Sequence, residues 1–419
     1  MPVLPFDIIA LIIDIVGENK DANLLKELAL VSYSFYQICS RHMFAVVNLH
    51  NAYPRLQLAS SKKGFVKLLK SRPDVVKHIR ELTYAFDIHS QLSELPPTHP
   101  NVDESDDDLL LSPILPDLFR TISHLKCIKI SGLAIDWNRL NSLTSAFLHL
   151  MHLPTINHID LAYIHNFPLS SLIPSVNLLR LDIFHLSFDR FGDPEFVVQS
   201  GMIPKIREFH ASESPLLTRR LLHAKMQDGR PAFNFMDLRR LSLSSIMISD
   251  YSEEQNIRYL LQNAKLLEKL HLTVGADRIL VGLYDILPST LKVLVLTVLY
   301  DCNNFVPLPL TRLYEELEAI AGHNMLDTLS IEIQIDGDET EDTVASILQG
   351  VEEILFKPGW SALRRVSFIV TIYCLVASME DSIKLYDVLQ SLPDKHLSRL
   401  PNVKSFDFNF SIDVVNNVS

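Results

Sequence analysis

The segment Leu267-Glu268-Lys269-Leu270-His271-Leu272 carries the pattern that decides the fold, with apolar residues at its first, fourth and sixth positions. In an extended strand the fourth and sixth side chains lie on one face, because side chains alternate between faces. Similar segments recur along the chain at intervals of 22 to 46 residues. Their apolar positions are Ile79-Leu82-Tyr84, Leu125-Ile128-Ile130, Ile156-Ile159-Leu161, Leu178-Leu181-Ile183, Ile206-Phe209-Ala211, Leu238-Leu241-Leu243, Leu291-Leu294-Leu296, Leu326-Leu329-Ile331, Leu363-Val366-Phe368 and Val403-Phe406-Phe408.

Helices are expected between these segments. Proline stands two to four residues before five of them, at Pro154, Pro174, Pro204, Pro288 and Pro401. A helix must end at such a position, and an extended stretch can begin there. Apolar residues at helical spacing predict helices over 253–263, 313–321, 343–356 and 382–389. Strand and helix therefore alternate over residues 78–419.

The repeated segments resemble the strand segments of leucine-rich repeats. The resemblance implies an α/β fold: a curved solenoid with a parallel strand-lined concave face over residues 78–419. The repeats are degenerate, because the positions where that family places Asn or Cys hold other residues: Ile164, Leu186, Ser214, Ile246 and Gly275. A doubly wound α/β sheet, which also alternates strands with helices, is the alternative.

Residues 1–50 predict three short helices of a different kind. Pro5 suits the first turn of a helix that Gly17 and Asn19 end, and Asp21 or Asn23 can cap a second helix. Ser32 or Ser34 can cap a third. Apolar residues nearly encircle the first helix, so we expect some of them to contact a partner rather than an internal core.

Residues in this region resemble the F-box. The resemblance rests on Leu4-Pro5-Phe6-Asp7-Ile8-Ile9, on Asn23-Leu24-Leu25, on Leu28-Ala29-Leu30-Val31-Ser32 and on Arg41-His42-Met43-Phe44. Phe35 and Asp7 stand where the family usually has tryptophan and often has glutamate. The alternative is an ordinary three-helix N-terminal cap. Residues 51–77 are expected to form a helical connector, with a helix over Gly64 to Lys70.

The F-box resemblance implies docking to a Skp-family adaptor protein, which links the chain to a cullin-RING ligase scaffold. Residues 1–50 would then be the adaptor-binding domain and 78–419 the substrate-recognition solenoid of a ubiquitin ligase. The adaptor-facing residues implied by the resemblance are Leu4, Pro5, Ile8, Leu24, Leu25 and Val31. The alternative is a non-catalytic interaction or scaffold protein that binds the adaptor outside any ligase complex.

The substrate face follows from strand periodicity. Residues on either side of the second apolar position point away from the core and form two columns on the sheet. The columns contain His158 and Asp160, Arg180 and Asp182, Glu208 and His210, Arg240 and Ser242, Lys269 and His271, and Val293 and Val295. We predict that Arg180, Asp182, Glu208, His210, Arg240, Lys269 and His271 bind a protein substrate. The alternative is that they are solvated strand residues.

Composition limits the other function classes. The formal net charge of −12 disfavours nucleic acid and anionic membrane surfaces as partners. Only 12 glycines and no nucleotide-binding or hydrolase motif occur, so neither a cofactor nor catalysis by this chain is expected. His149, His152 and His158 approach metal-ligand spacing, but we interpret them as structural and expect no metal site.

Four scattered cysteines predict neither a disulfide framework nor a zinc cluster and favour a reducing compartment. The apolar N-terminal stretch lacks a basic region and is not interpreted as a signal peptide. A cytoplasmic or nuclear location is therefore expected.

Overall fold

A computed structural model of the chain describes residues 5–19, 21–49, 62–86, 114–140, 142–187, 197–198, 202–226, 228–244, 251–275, 282–301, 310–322, 325–336, 341–374, 379–397, 399–400 and 406–416. Contacts divide the chain into two units. Unit 1 comprises Met1–Pro204 and Ala224–Phe233, and unit 2 comprises Lys205–His223 and Asn234–Ser419.

Unit 1 begins with three short helices, α1 (Phe6–Glu18), α2 (Ala22–Ala29) and α3 (Tyr33–Met43). The N-caps of α2 and α3 are Asp21 and Ser32, in each case one of the two candidates that the sequence offered. The Asp21 carboxylate accepts from the Leu24 amide at 3.0 Å, and the Ser32 hydroxyl accepts from the Phe35 amide at 3.2 Å. Each cap satisfies an amide that has no partner inside its helix.

A small apolar core joins these three helices. Ile13, Leu25, Ile38 and Cys39 are buried together, and Phe35 packs against them. The Asp14 carboxylate also pairs with Arg41 and with His42 Nε2, which ties α1 to α3. Since one small core serves all three helices, much of their apolar surface is left outside it.

The rest of unit 1 alternates strands with helices. In chain order its elements are β1 (Val46–Leu49), α4 (Lys62–Ser71), a 3-10 helix (Pro73–His78), β2 (Glu81–Ala85), α5 (Ile114–Thr121), β3 (Cys127–Asp136), α6 (Ser142–Met151), β4 (His158–His165), β5 (Arg180–Phe184), β6 (Val197–Val198) and β8 (Lys225–Met226). β1 to β5 pair in sequence order, all parallel, and β6 pairs with β8. The sequence did not predict β1, which directly follows the third helix.

Unit 2 repeats the same alternation. Its elements are β7 (Glu208–Ser212), α7 (Pro215–His223), β9 (Arg240–Ser244), α8 (Tyr251–Asn263), β10 (Lys269–Gly275), α9 (Leu283–Ile286), β11 (Val293–Asp301), α10 (Thr311–Ala321), β12 (Thr328–Asp336), α11 (Glu341–Leu355), β13 (Arg365–Cys374), α12 (Met379–His396) and β14 (Asp407–Asn416). Neighbouring strands are again parallel and in sequence order. The last helix is longer than the predicted 382–389.

Burial along the strands separates the two fold classes that the sequence left open. The second and third apolar residues of a segment are buried, as Leu270 and Leu272 are in β10, while the alternate residues Lys269 and His271 stay exposed or half-buried. Consecutive helices pack against one another within each unit. A doubly wound sheet is covered on both faces and is apolar throughout. The one-sided burial instead matches a leucine-rich-repeat-like arrangement of parallel strands and helices.

The same backbone feature occurs within β4 and directly after β5 and β7. Tyr163, His185 and Glu213 each stand two residues after the third apolar position and have left-handed φ values of 57°, 46° and 51°. A left-handed backbone costs a non-glycine residue roughly 1 to 2 kcal/mol. The next residue is buried in each case, for example Ile164 and Leu186. A buried residue therefore stands at the position where the resemblance to leucine-rich repeats implies Asn or Cys.

The last segment departs from its predicted register. Val366 in β13 pairs with Phe408 rather than with Phe406, a shift of two residues. The predicted pairing was therefore wrong there. Because a shift of two keeps each side chain on its original face, the alternation of the pattern cannot reveal it.

No helix among the described residues is long and apolar enough to cross a membrane.

Replacing Leu270 with Ala should lower the free energy of unfolding by about 2 to 5 kcal/mol, because Leu270 is fully buried between stacked repeats. Replacing the neighbouring exposed Lys269 with Ala should change it by less than about 0.5 kcal/mol. Denaturant unfolding of both variants measures the difference. Equal losses for the two variants would contradict the observed strand register.

Candidate functional site

A group of interacting polar side chains lies on strands β3, β4 and β5 of unit 1. We call it the His158 cluster: Cys127, His158, Asp160, Arg180 and Asp182. The parallel register places His158 beside Cys127 on one strand and Arg180 on the other, and Asp160 beside Asp182. These residues alternate with the buried Ile159 and Leu161. They therefore occupy the face of the strands that the helices leave uncovered.

Hydrogen bonds run through the cluster from one strand to the next. His158 Nδ1 lies 3.1 Å from Cys127 Sγ, and His158 Nε2 lies 2.8 Å from Asp182 Oδ2. Arg180 Nε donates to both oxygens of the Asp182 carboxylate, at 3.1 and 2.9 Å. The Asp160 carboxylate is 3.9 Å from Lys129 Nζ. Asp182 is thus the acceptor that joins His158 to Arg180.

The electrostatics of the cluster argue against nucleophilic catalysis by Cys127. The pKa of its thiol is raised to about 12, first by burial and then by the Glu81 carboxylate, while Lys129 acts in the opposite direction. A thiol in that state is neutral at pH 7 and is a poor nucleophile. Burial and the neighbouring Asp182 carboxylate also raise the pKa of Asp160.

A second chain of polar contacts crosses unit 2; we call it the His271 ladder. Ser242 Oγ lies 3.3 Å from His271 Nδ1, and His271 Nε2 lies 3.1 Å from Thr297 Oγ1. The Thr297 hydroxyl donates to Glu332 Oε2 at 3.3 Å, and the Gln334 amide donates to Glu332 Oε1 at 2.9 Å. The ladder therefore connects four adjacent strands, β9 to β12.

One order of donors satisfies every group of the ladder. The Ser242 hydroxyl donates to His271 Nδ1, His271 Nε2–H donates to Thr297, and Thr297 donates to Glu332. This order needs a neutral imidazole. Burial lowers the pKa of His271, with Lys269 and His210 acting in the same direction and Glu332 opposing them. The distances also fit a doubly protonated ring, so burial, rather than the hydrogen-bond geometry, favours the neutral form.

Replacing His271 with Gln should reduce the loss of stability in mild acid. A histidine whose pKa is lowered by folding binds protons more readily in the unfolded chain, so its contribution to stability falls as the pH drops below about 6.5. The thermal midpoints at pH 7.5 and pH 5 should differ less in His271→Gln than in the wild type. His124→Gln, at an exposed histidine, is the control. An unchanged difference in His271→Gln would contradict the assignment.

The structure distributes the predicted substrate residues between the two units. Arg180 and Asp182 belong to the His158 cluster. In unit 2 the register aligns Glu208 with Arg240 and Lys269, and aligns His210 with Ser242 and His271, as the columns predict. Arg240 NH1 lies 3.2 Å from Glu208 Oε1. Both predicted arginines, Arg180 and Arg240, therefore pair with carboxylates of this chain.

The predicted adaptor-facing residues divide into exposed and buried ones. Pro5, Ile8, Leu24 and Val31 are exposed, and Val31 keeps 65% of its surface accessible. Leu4 lies outside the described residues. Further large apolar side chains are exposed on the same helices: Phe6, Leu11, Ile12, Ile15, Leu30 and Tyr33. Exposed apolar groups on this scale are typical of surfaces that bind another protein.

Leu25 requires a correction. The F-box resemblance implies an adaptor-facing position for Leu25, but this residue keeps only 3% of its surface accessible and lies in the core with Ile13, Ile38 and Cys39. In the Leu24-Leu25 pair, consecutive helix positions point about 100° apart, so the two side chains cannot share a face. Leu25 therefore stabilises the helices themselves.

The pattern of residues alone did not reveal the acidic partners of His158. We interpreted His149, His152 and His158 as structural because no acid pair accompanied them. His152 fits that interpretation, since its Nε2 lies 2.8 Å from the Ser171 carbonyl oxygen. For His158 the stated reason does not hold, because Asp160 on its own strand and Asp182 on the next strand supply two carboxylates. The predicted columns already placed these residues side by side, and that was the available signal.

Comparisons with known proteins add little to this geometry. No protein-family model matches the sequence, and no curated protein matches it. Among solved structures, the chain is similar to an internalin from Listeria monocytogenes, with a TM-score of 0.27 and 12% identity over 71% of this chain and 77% of that one. A likeness at that level carries no argument about fold or function.

Proposed function

We propose that this chain is the substrate-recognition subunit of a Skp-cullin-F-box type ubiquitin ligase. The single observation that carries the proposal is the exposed apolar surface of α1 to α3, at the residues whose order resembles the F-box. This surface would bind a Skp-family adaptor, and the adaptor would link the chain to a cullin-RING scaffold. The chain itself would contribute no catalytic group.

Two features of the three helices support an interface in this region. Their common core is small, and large side chains such as Ile8, Leu11 and Leu30 are exposed beside it. Burying an apolar side chain of this size is worth about 1.5 to 3 kcal/mol. A partner that covers them would remove the cost of leaving several of them in water. A protein partner would therefore account for a surface that stays exposed among the described residues.

The uncovered strand faces support the substrate side of the proposal. They carry arginine, aspartate, glutamate and histidine in register, together with the apolar Val293 and Val295. Mixed charges beside an apolar step suit a protein surface that bears both signs. Ubiquitination would follow from proximity, because holding a substrate near the conjugating enzyme raises its effective concentration.

A double variant of the exposed helix residues tests adaptor binding. Changing Leu24 and Val31 to Ala should weaken capture of a purified Skp-family adaptor by at least ~2 kcal/mol, roughly thirtyfold, because apolar anchors supply most of the binding energy of such surfaces. Met325→Ala, at an exposed apolar residue of unit 2, is the matched control. If the double variant and the control bind the adaptor equally well, the adaptor assignment is wrong.

Charge reversal of the two arginines tests substrate recognition. Arg180→Glu with Arg240→Glu should remove the co-purifying substrates while adaptor binding stays unchanged, because each substitution reverses a charge on an uncovered strand face. Arg219→Glu, at an exposed arginine on α7, is the control. Recovery of the same proteins at the same abundance with the double variant would place recognition elsewhere on the chain.

The second candidate function is a scaffold protein that binds the adaptor outside any ligase. The same exposed surface favours it, since adaptor binding is common to both functions. Affinity purification followed by mass spectrometry separates them, because only a ligase subunit should recover a cullin together with the adaptor.

A further inference from the structure

The His158 cluster contains three metal-ligand groups that lie close together. One donor atom each from His158, Asp160 and Asp182 can be chosen so that all three lie within 4.8 Å of one another. Ligands bound at about 2.0 to 2.2 Å in tetrahedral geometry are roughly 3.3 to 3.6 Å apart. The three donor atoms therefore lie only slightly farther apart than the ligands of one bound ion.

The position of the two carboxylates makes an ion favourable. Asp160 and Asp182 are direct neighbours in the parallel register, and like charges directly opposite each other destabilise a sheet. Arg180 donates to Asp182, and Lys129 Nζ lies 3.9 Å from the Asp160 carboxylate. A divalent cation between the two carboxylates would cancel their repulsion.

The donor types select the class of metal. Imidazole nitrogen with two carboxylate oxygens suits Zn²⁺ and similar transition ions, whereas Ca²⁺ and Mg²⁺ prefer sites made of oxygen alone. We infer that His158 Nε2, one Asp160 oxygen and Asp182 Oδ2 bind a divalent transition metal ion of the Zn²⁺ class. Unlike the proposed function, this inference does not depend on F-box identity.

The contacts around the three donors fit this assignment. In a metal-bound state His158 carries its proton on Nδ1, which faces Cys127 Sγ at 3.1 Å and can donate to it. Arg180 already donates to Asp182 Oδ1 at 3.1 Å and can keep that bond after leaving Oδ2. Such outer contacts orient the ligands of metal sites. Arg180 is partly exposed and can therefore shift.

The three donors leave the ion with an open coordination position. The side chains of His158 and Asp182 keep 16% and 15% of their surface accessible, and that of Asp160 keeps 30%. An ion among them would be reached from solvent on the uncovered face of the strands. Water or a donor atom of a bound protein would complete its coordination.

Calorimetric titration of the untagged full-length chain with Zn²⁺ tests the inference. The wild type should bind one ion and gain thermal stability with it. Asp160→Asn keeps the shape of the side chain and removes one ligand charge, so affinity should fall roughly tenfold or more and the thermal gain should shrink. His158→Gln is the second variant should Asp160→Asn fail to fold. Asp117→Asn, at an exposed carboxylate on α5, is the matched control and should bind as the wild type does.

Two results would overturn the inference. One is the absence of one-to-one Zn²⁺ binding by the wild type, and the other is equal binding by Asp160→Asn and the wild type. Cys127→Ser should retain the bound ion, because the sulfur faces Nδ1 rather than the ion. Complete loss of binding in Cys127→Ser would contradict the three-donor assignment.

Discussion

Burial of two apolar side chains per strand against the neighbouring helices is the constraint on which both units depend. Leu241, Leu270 and Leu294 lie side by side in adjacent strands and are fully or almost fully buried. Parallel strands cannot be joined by tight turns, so each one requires a crossover that returns the chain to the same end. The helices supply these crossovers and also cover the leucines. Register, strand order and the one-sided core all follow from this arrangement.

The one-sided core leaves the other face of the strands uncovered. Because helices cover one side only, alternate strand positions can hold ionisable residues at low cost. Parallel pairing then brings equivalent positions within about 4.8 Å of each other. The His158 cluster and the His271 ladder are built in this way, each from single residues on successive strands. Neither group is a local motif, and each exists only because neighbouring strands share one register.

The strand pattern could be predicted because it repeats a local physical rule. The predicted alignment of Leu82 with Ile128 and that of Leu329 with Val366 are both observed. Alternation of buried and exposed residues does not fix the register where two registers bury the same face of the strand. At the last segment, a shift of two residues satisfies alternation equally well, so Phe408 rather than Phe406 pairs with Val366.

The candidate sites were less predictable, since they depend on which side chains meet in space. Alternation placed Asp160 and Asp182 side by side, but only coordinates show that His158 Nε2 contacts Asp182. Leu25 shows what a family resemblance does not determine. A family resemblance assigned it to a surface, whereas packing against Ile13 and Ile38 places it in the core. Resemblance carries an order of residues along the chain, and it does not determine which side of a short helix each of them occupies.

The central proposal is that α1 to α3 bind a Skp-family adaptor. Hydrogen–deuterium exchange of the full chain, with and without the purified adaptor, tests it most directly. The account predicts slower exchange across α1 to α3 on adding the adaptor, because the proposed interface would cover those helices and suppress their local opening. Exchange in the strands of unit 2 should stay unchanged. Unaltered exchange over residues 6–43 at saturating adaptor would contradict the account.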